Sequence, residues 1–413
     1  MTDHTSPSNE SFDVAVVGGG PAGLAAAISL ALGGARTALI ARRTPYADNR
    51  TTALLGQSVD FLDSLGVWTR CVANAAPLRV MRLVDDTGRL IRAPEVRFSS
   101  EEIGRDVFGY NIENRILVEA LEERAGELAG LTRIDDDAEA VSPGPENAAI
   151  RTRHGPGLTA RLVVGADGRH SLCRDAAGIA VTRRPLNQTA ITFNVSHSRP
   201  HGGMSTEFHT VGGPCVFVPL PGDRSSIVWV TTPRETERLL ALDDAALGAA
   251  IELRSHSILG QMRIEGGRHA FPLAIERPKR LAARRVVLVG ESAHVVPPIG
   301  AQGLNLGLRD ASDIAGIVAD TLGRGEDPGA PDTLTRFERA RGADIASRTF
   351  AIDVANRSLL SSFLPVQGLR ALGMHLIGQV GPLRRLAMRE GLSPSWRTPD
   401  GNDSLTEQRS LRF

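Results

Sequence analysis

The chain has 413 residues, 42% apolar and 23% charged, a globular composition on a length that exceeds one hydrophobic core and predicts two domains. Its 47 basic and 47 acidic side chains cancel, which argues against a global field that gathers nucleic acid. Cys71, Cys173 and Cys215 lie far apart without a C-x-x-C pair, which argues against a disulfide framework or a zinc cluster and leads to the expectation of a reducing, cytoplasmic setting.

The first dozen residues are polar and predict no signal peptide, and no apolar run is long enough to predict a membrane span. Phe12 to Val17 reads as a buried strand. A helix follows with apolar residues at Leu24, Ala27, Ile28 and Ala31, stopped by Gly33-Gly34, and Thr37 to Ile40 forms the next strand. A helix is predicted over 54–65. "RVMRLVDDTGRLIR" predicts a hairpin turning at Asp86-Thr87-Gly88, and helical spacing returns over 114–128. Ser142 to Gly157 reads as a surface loop, and "ARLVVGADG" as a buried strand entering a turn. From 186 to 275 the texture is mostly β, interrupted by a helix over 243–254. "RRVVLVG" is again a buried strand, helices occupy the remainder, and the last dozen residues read as frayed.

Between the first strand and helix, Gly18, Gly20 and Gly23 form a G-x-G-x-x-G turn. Gly18 permits the tight bend, Gly20 lets backbone approach a pyrophosphate, and Gly23 lets helix and strand pack closely. The helix N-terminus offers free N–H groups to the anion. The carboxylate expected at the end of the second strand, where it would hold ribose hydroxyls, is replaced by Ala41, followed by Arg42 and Arg43. On this stretch alone, arginines suited to a 2′-phosphate favour an NADP dehydrogenase.

Two further stretches change that balance. "VVGADGRHSLCR" (163–174) and "VVLVGESAHVVPPIGAQGLNLGLRD" (286–310), taken with the first turn, resemble the three signature segments of flavin-dependent aromatic hydroxylases of the p-hydroxybenzoate hydroxylase type. "NRTTALLGQSVDFLDSLGVW", "GPCVFVPLP", "SSIVWVTTP" and "PPIGAQGLNLGLRDA" narrow the resemblance to the ubiquinone-biosynthesis hydroxylases. The resemblance implies an α/β fold: a split Rossmann-like FAD-binding domain (1–75, 100–182, 280–355), an inserted β-rich substrate domain (76–99, 183–279), and C-terminal helices with a tail (356–413). It implies ring hydroxylation of a polyprenylated phenol with O2, bound FAD and NAD(P)H as transient reductant. Contact with other ubiquinone-biosynthesis proteins and with the inner face of the membrane is also implied, and nucleic acid is not.

By the same resemblance Gly18, Gly20, Gly23, Arg50, Arg115, Asp167, Glu291 and the run Gly300, Ala301, Gln302, Gly303, Leu304 and Asn305 would hold FAD. Arg42 would face its adenine or pyrophosphate. Phe193, Phe217, Pro219, Trp229 and Pro298 would line the substrate. The chemistry is intelligible in itself: residues 299–305 read as a loop whose backbone N–H groups, ahead of the apolar helix carrying Leu308, Ala311, Ile314, Ala315 and Val318, can stabilise a negatively charged flavin edge. The flavin carries the hard chemistry, so no protein nucleophile is required. Ala41 and Glu291, the latter where the family has Asp, are departures: Ala41 predicts weaker FAD binding, and Glu291 a shifted geometry rather than lost binding.

Other patterns compete. "GESAH" imitates a nucleophile elbow around Ser292, but His294 replaces the second glycine and Pro297-Pro298 blocks the helix. His197, His201 and His209 lie in broken β texture without metal-ligand spacing, so no metal is expected, and His294 reads as structural. Residues 358–390 mix leucines with Arg370, Arg384, Arg385 and Arg389. They read either as helices packed on the flavin domain or as an interfacial patch. Two further functional readings stay open: a hydroxylase of a soluble aromatic acid or secondary metabolite, and a non-catalytic FAD-binding subunit.

Overall fold

The computed structural model describes residues 10–43, 49–361 and 363–392, so the expectation for the last dozen residues falls outside it. Strand Glu10–Val17 is the centre of a largely parallel sheet. It pairs in parallel with Thr37–Ile40 on one side and Leu158–Gly165 on the other, and these pair in parallel with Leu131–Ile134 and Val286–Leu288. Both faces of such a sheet are covered, which explains why these strands read as unbroken apolar runs. Helices Pro21–Leu32 and Gln302–Gly323 pack together here, and Leu308, Ala311, Ile314, Ala315 and Val318 all enter this core.

A second, seven-stranded sheet is built around Val181–His197. Met262–Pro278 pairs with it on one side, and Arg224–Thr231, Gly213–Leu220 and Met204–Thr210 follow on the other, all antiparallel. Val80–Asp85 adds in parallel to Met204–Thr210, with Val96–Ser99 at the edge. Helices Pro233–Leu240 and Asp244–Arg254 supply Leu239, Leu247 and Ile251 to the core on one face of this sheet. A small sheet of Thr51–Leu55, Gly109–Glu113 and Ala76–Leu78 lies between the two large ones in sequence.

Three expectations are corrected. Ser142 to Gly157 is not a loop: Ala138–Pro143 and Ala148–Thr152 form a hairpin closed by Gly144 N–H on the Asn147 carbonyl at 2.9 Å. The Pro/Gly content marks only its tips, while Ala148 and Ile150 are buried. The 80–92 hairpin does not turn tightly at Gly88. The Asp85 carboxylate accepts from Thr87 Oγ1 at 2.7 Å and Ala93 N–H at 2.8 Å, which gathers a longer loop, and the second arm is Val96–Ser99. The third concerns the start of the Gln302 helix, described below.

Candidate cofactor and substrate site

The three glycine-containing turns meet at the N-terminus of helix Pro21–Leu32. Gly18 has φ +116°, and a Cβ there would overlap the Ala166 carbonyl of the second turn. A Cβ on Gly23 would sit 2.9 Å from that of Ala166. The third segment closes from the other side: a Cβ on Gly290 would lie 3.2 Å from Ala22 Cβ, and one on Gly307 3.1 Å from the same atom. A Cβ on Gly20 would meet nothing within 4 Å, and Gly20 caps the helix without a side-chain bond. The junction is packed shut behind Gly18 and Gly23 and open in front of Gly20, the shape an approaching pyrophosphate needs.

At the end of strand Thr37–Ile40 the missing carboxylate has a neighbour that sequence reasoning passed over. Arg133 donates to the carbonyls of Ala41 and Ile134 and forms a two-pronged pair with Glu122, 2.9 Å and 3.3 Å. It is the register partner of Leu39 on the adjacent parallel strand, a relation visible only from topology. Arg42 turns away to an ion pair with Asp137, and Arg43 N–H bonds Asp135 at 2.7 Å, so the arginine pair is engaged by the chain's own acids. Ala41→Glu is expected to tighten FAD by about 10- to 100-fold, the worth of one or two charged hydrogen bonds to ribose hydroxyls. Flavin fluorescence titration of the two proteins checks it, and an unchanged dissociation constant rejects it.

Asp167 faces inward. Its carboxylate accepts from Ser171 Oγ at 2.6 Å and Cys173 N–H at 3.0 Å, so it holds the turn in shape. The fully buried Arg174 then donates to the Arg169 carbonyl at 2.7 Å and the Ser292 carbonyl at 3.3 Å, tying the second turn to the third. Ser292 is buried with its hydroxyl on the Gly165 and Val289 carbonyls at 2.6 and 2.9 Å, an arrangement with no role for a nucleophile. Glu291 is exposed, and among the described residues its carboxylate has no bond, which leaves it available to ribityl hydroxyls.

Beneath the third turn lies a buried charge network. Asp310 accepts from Gly290 N–H at 3.0 Å, His294 Nε2 lies 2.7 Å from the same carboxylate, and Arg341 donates to it at 2.6 Å. Arg341 also donates to Asp344 at 2.8 Å. Burial alone would raise the Asp310 carboxyl, but Arg341 and His294 outweigh it and bring it down to about 2. His294 is therefore structural, as its sequence context implied.

The flavin-loop run is mostly helix. Gly300 and Ala301 both take left-handed φ, +63° and +54°, and the helix begins at Gln302. Gln302, Gly303, Leu304 and Asn305 are its first turn, so their side chains differ in fate from a loop's. Asn305 is wholly buried: Oδ1 accepts from Leu55 N–H at 2.9 Å and Ser58 Oγ at 2.7 Å, and Nδ2 donates to the Ala53 and Ala301 carbonyls at 2.8 and 2.6 Å. Its side chain braces the backbone and has no capacity left for a ligand. Gln302 donates to the Gly300 carbonyl at 3.0 Å, and Leu304 packs on the core, while Gly300 and Gly303 stay open.

Arg50 sits 5.1 Å over the Phe271 ring, bridging to the second sheet. Arg115 pairs with Glu119 at 3.1 Å on its own helix, Asn114–Gly126, and lines a surface cleft of about 250 Å³ with Arg70 and Glu123.

A sequence profile described as an FAD binding domain matches residues 11–348, the span that contains all three turns. The chain belongs to this FAD-binding family. It is similar to the "Ubiquinone hydroxylase UbiL" of Rhodospirillum rubrum, 33% identical over 395 residues covering 94% of this chain and 91% of the relative. It is also 28% identical to the "3-demethoxyubiquinol 3-hydroxylase" of Escherichia coli over 93% of this chain and 99% of the relative. In fold it is similar to the p-nitrophenol 4-monooxygenase PnpA of Pseudomonas putida, with TM-score 0.74, 20% identity and coverage of 93% and 98%. It is thus an FAD-dependent monooxygenase of the aromatic hydroxylase class.

In this FAD-binding chain the substrate residues need correction. Phe193, Phe217 and Trp229 do not line an open site. They form a closed core with Leu239, Leu247 and Ile251, on the face of the sheet that its own helices cover. Strand alternation explains it: the residues that look most apolar in sequence are those turned to the helices, and the intervening ones face the other way. Pro219 shares the parity of Phe217 and contributes its carbonyl to Asn111 Nδ2 at 2.9 Å. Pro298 is exposed, beside the flavin loop in sequence.

His197 bonds Ser225 Oγ at 3.0 Å and His201 the Leu220 carbonyl at 3.0 Å, and no metal-type cluster occurs among the described residues.

The C-terminal helices Leu364–Gln379 and Gly381–Leu392 sit against the edge of the second sheet and against flavin-domain residues, including Arg348, which donates to the Glu390 carbonyl at 2.9 Å. Arg370 pairs with Asp85, Arg384 with Glu102, and Met388 packs with Leu55 and Phe108. Leu369, Leu372, Leu376, Val380, Leu383 and Leu386 are left exposed. No helix among the described residues is long and apolar enough to cross a membrane.

Proposed function

We propose that this flavoprotein hydroxylates the aromatic ring of a polyprenylated phenol in ubiquinone biosynthesis, using O2 and NAD(P)H. The observation that carries the reading is the end-to-end similarity to the Rhodospirillum rubrum ubiquinone hydroxylase, and the closed three-turn junction of this chain agrees with it. The Gly20 backbone and the helix N-terminus would hold the pyrophosphate, Glu291 the ribityl chain, and Gly300 to Gly303 the flavin ring. When bound, FAD supplies oxygen activation and oxygen-atom transfer. The chain's own part is to bind, orient and keep the ring dry.

A neutral phenol suits the second sheet better than an aromatic acid. Arg224, on the face turned from the helices, is already paired with Glu265 at 2.7 Å and Glu113 at 3.3 Å, leaving that cation no charge to spare for a carboxylate. The decisive experiment is the visible spectrum of the purified protein, followed by oxygen-dependent NAD(P)H oxidation with prenylated phenols and with aromatic acids. Stimulation by the phenols supports the reading. Flavin binding without NAD(P)H oxidation would favour the non-catalytic subunit instead, and stimulation by acids alone the soluble-substrate hydroxylase.

A lipid substrate also gives the C-terminal helices a role. Residues 354–389 contain five arginines and no acid, beside the exposed leucine stripe, on a chain whose overall charge is zero. That combination suits the surface of an anionic bilayer, with other ubiquinone-biosynthesis proteins as further partners. Leu372→Glu with Leu376→Glu is expected to reduce co-flotation with anionic vesicles at least tenfold while FAD content stays unchanged. Unaltered flotation rejects the membrane role.

A further inference from the structure

The second sheet has two faces, and only one is accounted for. Phe193 and Val195 enter the helix-covered core, so Thr192 and Asn194 between and beside them project from the opposite face. That face is turned to the flavin-loop region. Arg50 lies over Phe271, the register partner of Ala190, and Asn49 Nδ2 donates to the Gly267 carbonyl at 3.3 Å. Arg224, opposite Ser196, reaches Glu113. Strand Thr51–Leu55, which continues from Arg50, is clamped by Asn305 to the first turn of the Gln302 helix.

On this face two polar atoms stand out. Asn194 is 3% exposed, yet its Oδ1 has no hydrogen-bond partner among the described residues, and the same holds for Thr192 Oγ1. An unpaired buried polar atom costs about 1–3 kcal/mol, so each is either a defect or a place kept for a ligand. Their surroundings favour a ligand. Register places Val228 beside Thr192 and Val216 beyond it, with Ser226 beside Asn194 and Val218 beyond, an apolar floor with few polar points. Between Thr192 and Asn194 the pairing with Met262–Pro278 slips, so that residues 266–268 bulge out where Asn49 meets them.

We propose that Thr192 and Asn194 recognise the ring oxygen of the phenolic substrate, while Val216, Val218 and Val228 hold its ring and the start of its tail. The inference rests on the phenol reading above. It makes these two positions the specificity determinants and removes Phe193, Phe217 and Trp229 from that role.

The test is a cycle between residue and ligand hydroxyl. Thr192→Val and Asn194→Leu keep shape and remove the polar atoms. Binding of a phenol with a short isoprenoid tail, and of the same compound lacking its hydroxyl, is read from the flavin absorbance change, with melting temperature and FAD content measured in parallel. The wild type should bind the phenol at least tenfold tighter than its deoxy counterpart. Each variant should lose most of that preference while keeping FAD, and should melt at the same or a higher temperature because a buried unpaired group has gone.

An undiminished preference in both variants overturns the proposal. A melting temperature lowered by several degrees with the preference intact overturns it too, since the two groups would then be structural. Failure of the wild type to bind any phenol, with an aromatic acid bound instead, would sink the functional reading. Weaker binding of that acid by the variants, with FAD content kept, would still mark the face as the ligand site, and unchanged acid binding would overturn the proposal as well.

Discussion

Arg341→Met should destabilise the protein by about 3–5 kcal/mol and lower its melting temperature more than any other single core substitution discussed above. Arg341 is fully buried between Asp310 and Asp344, and its loss leaves two carboxylates in the interior facing only Arg309, His294 and Arg348. The consequence reaches the cofactor site, because Asp310 also holds Gly290 N–H in the third turn. Differential scanning calorimetry and flavin content on purification read both effects. A change under 1 kcal/mol would mean that the network is not a cooperative unit.

The same network gives the acid limb of stability its sign. Asp310 is depressed from its ordinary 3.8 to about 2 in the folded state, so its stabilisation is present above about pH 4 and disappears as pH falls toward 2. The wild type should lose about 2 kcal/mol of unfolding free energy across that window from this group. Urea titrations at stepped pH check it.

Gly18→Ala and Gly20→Ala should part company. At Gly18 the added methyl meets the Ala166 carbonyl in a backbone conformation that disfavours side chains, so a loss on the order of 3 kcal/mol or more is expected, with FAD lost as well. At Gly20 the methyl enters open space, so the apoprotein should melt within about 1 °C of wild type. FAD affinity should nonetheless fall at least tenfold, because the methyl occupies the approach of the pyrophosphate. Equal effects of the two substitutions on apoprotein stability would refute the assignment of an open front and a closed back.

The comparison of sequence with structure follows one rule: short-range patterns were legible, and facing was not. Strand Thr37–Ile40 and helix Asp244–Arg254 match their predicted extents closely, because runs of β-branched residues and the helical period are local properties. The Ala138–Thr152 hairpin was missed because Pro and Gly at its tip masked two short alternating arms. Asn305 was legible as part of a motif, but its role was not. Four partners drawn from Ala53, Leu55, Ser58 and Ala301 make it a brace, and three of them are about 250 positions away in the chain.

By itself the sequence determined the presence of three glycine turns, each between a buried strand and a helix, and with them the family and its cofactor. Glycine spacing answers to backbone sterics that act within a few residues. Only the tertiary structure decided that Gly18 closes on Ala166, that Arg133 bonds the Ala41 carbonyl, and that Phe193 enters the helix-covered core while Asn194 is buried on the opposite face. Those facts depend on which face of a strand meets which neighbour. In the parallel sheet, buried on both sides, apolar content does not distinguish the faces, and in the second sheet alternation separates two faces without saying which one the helices cover.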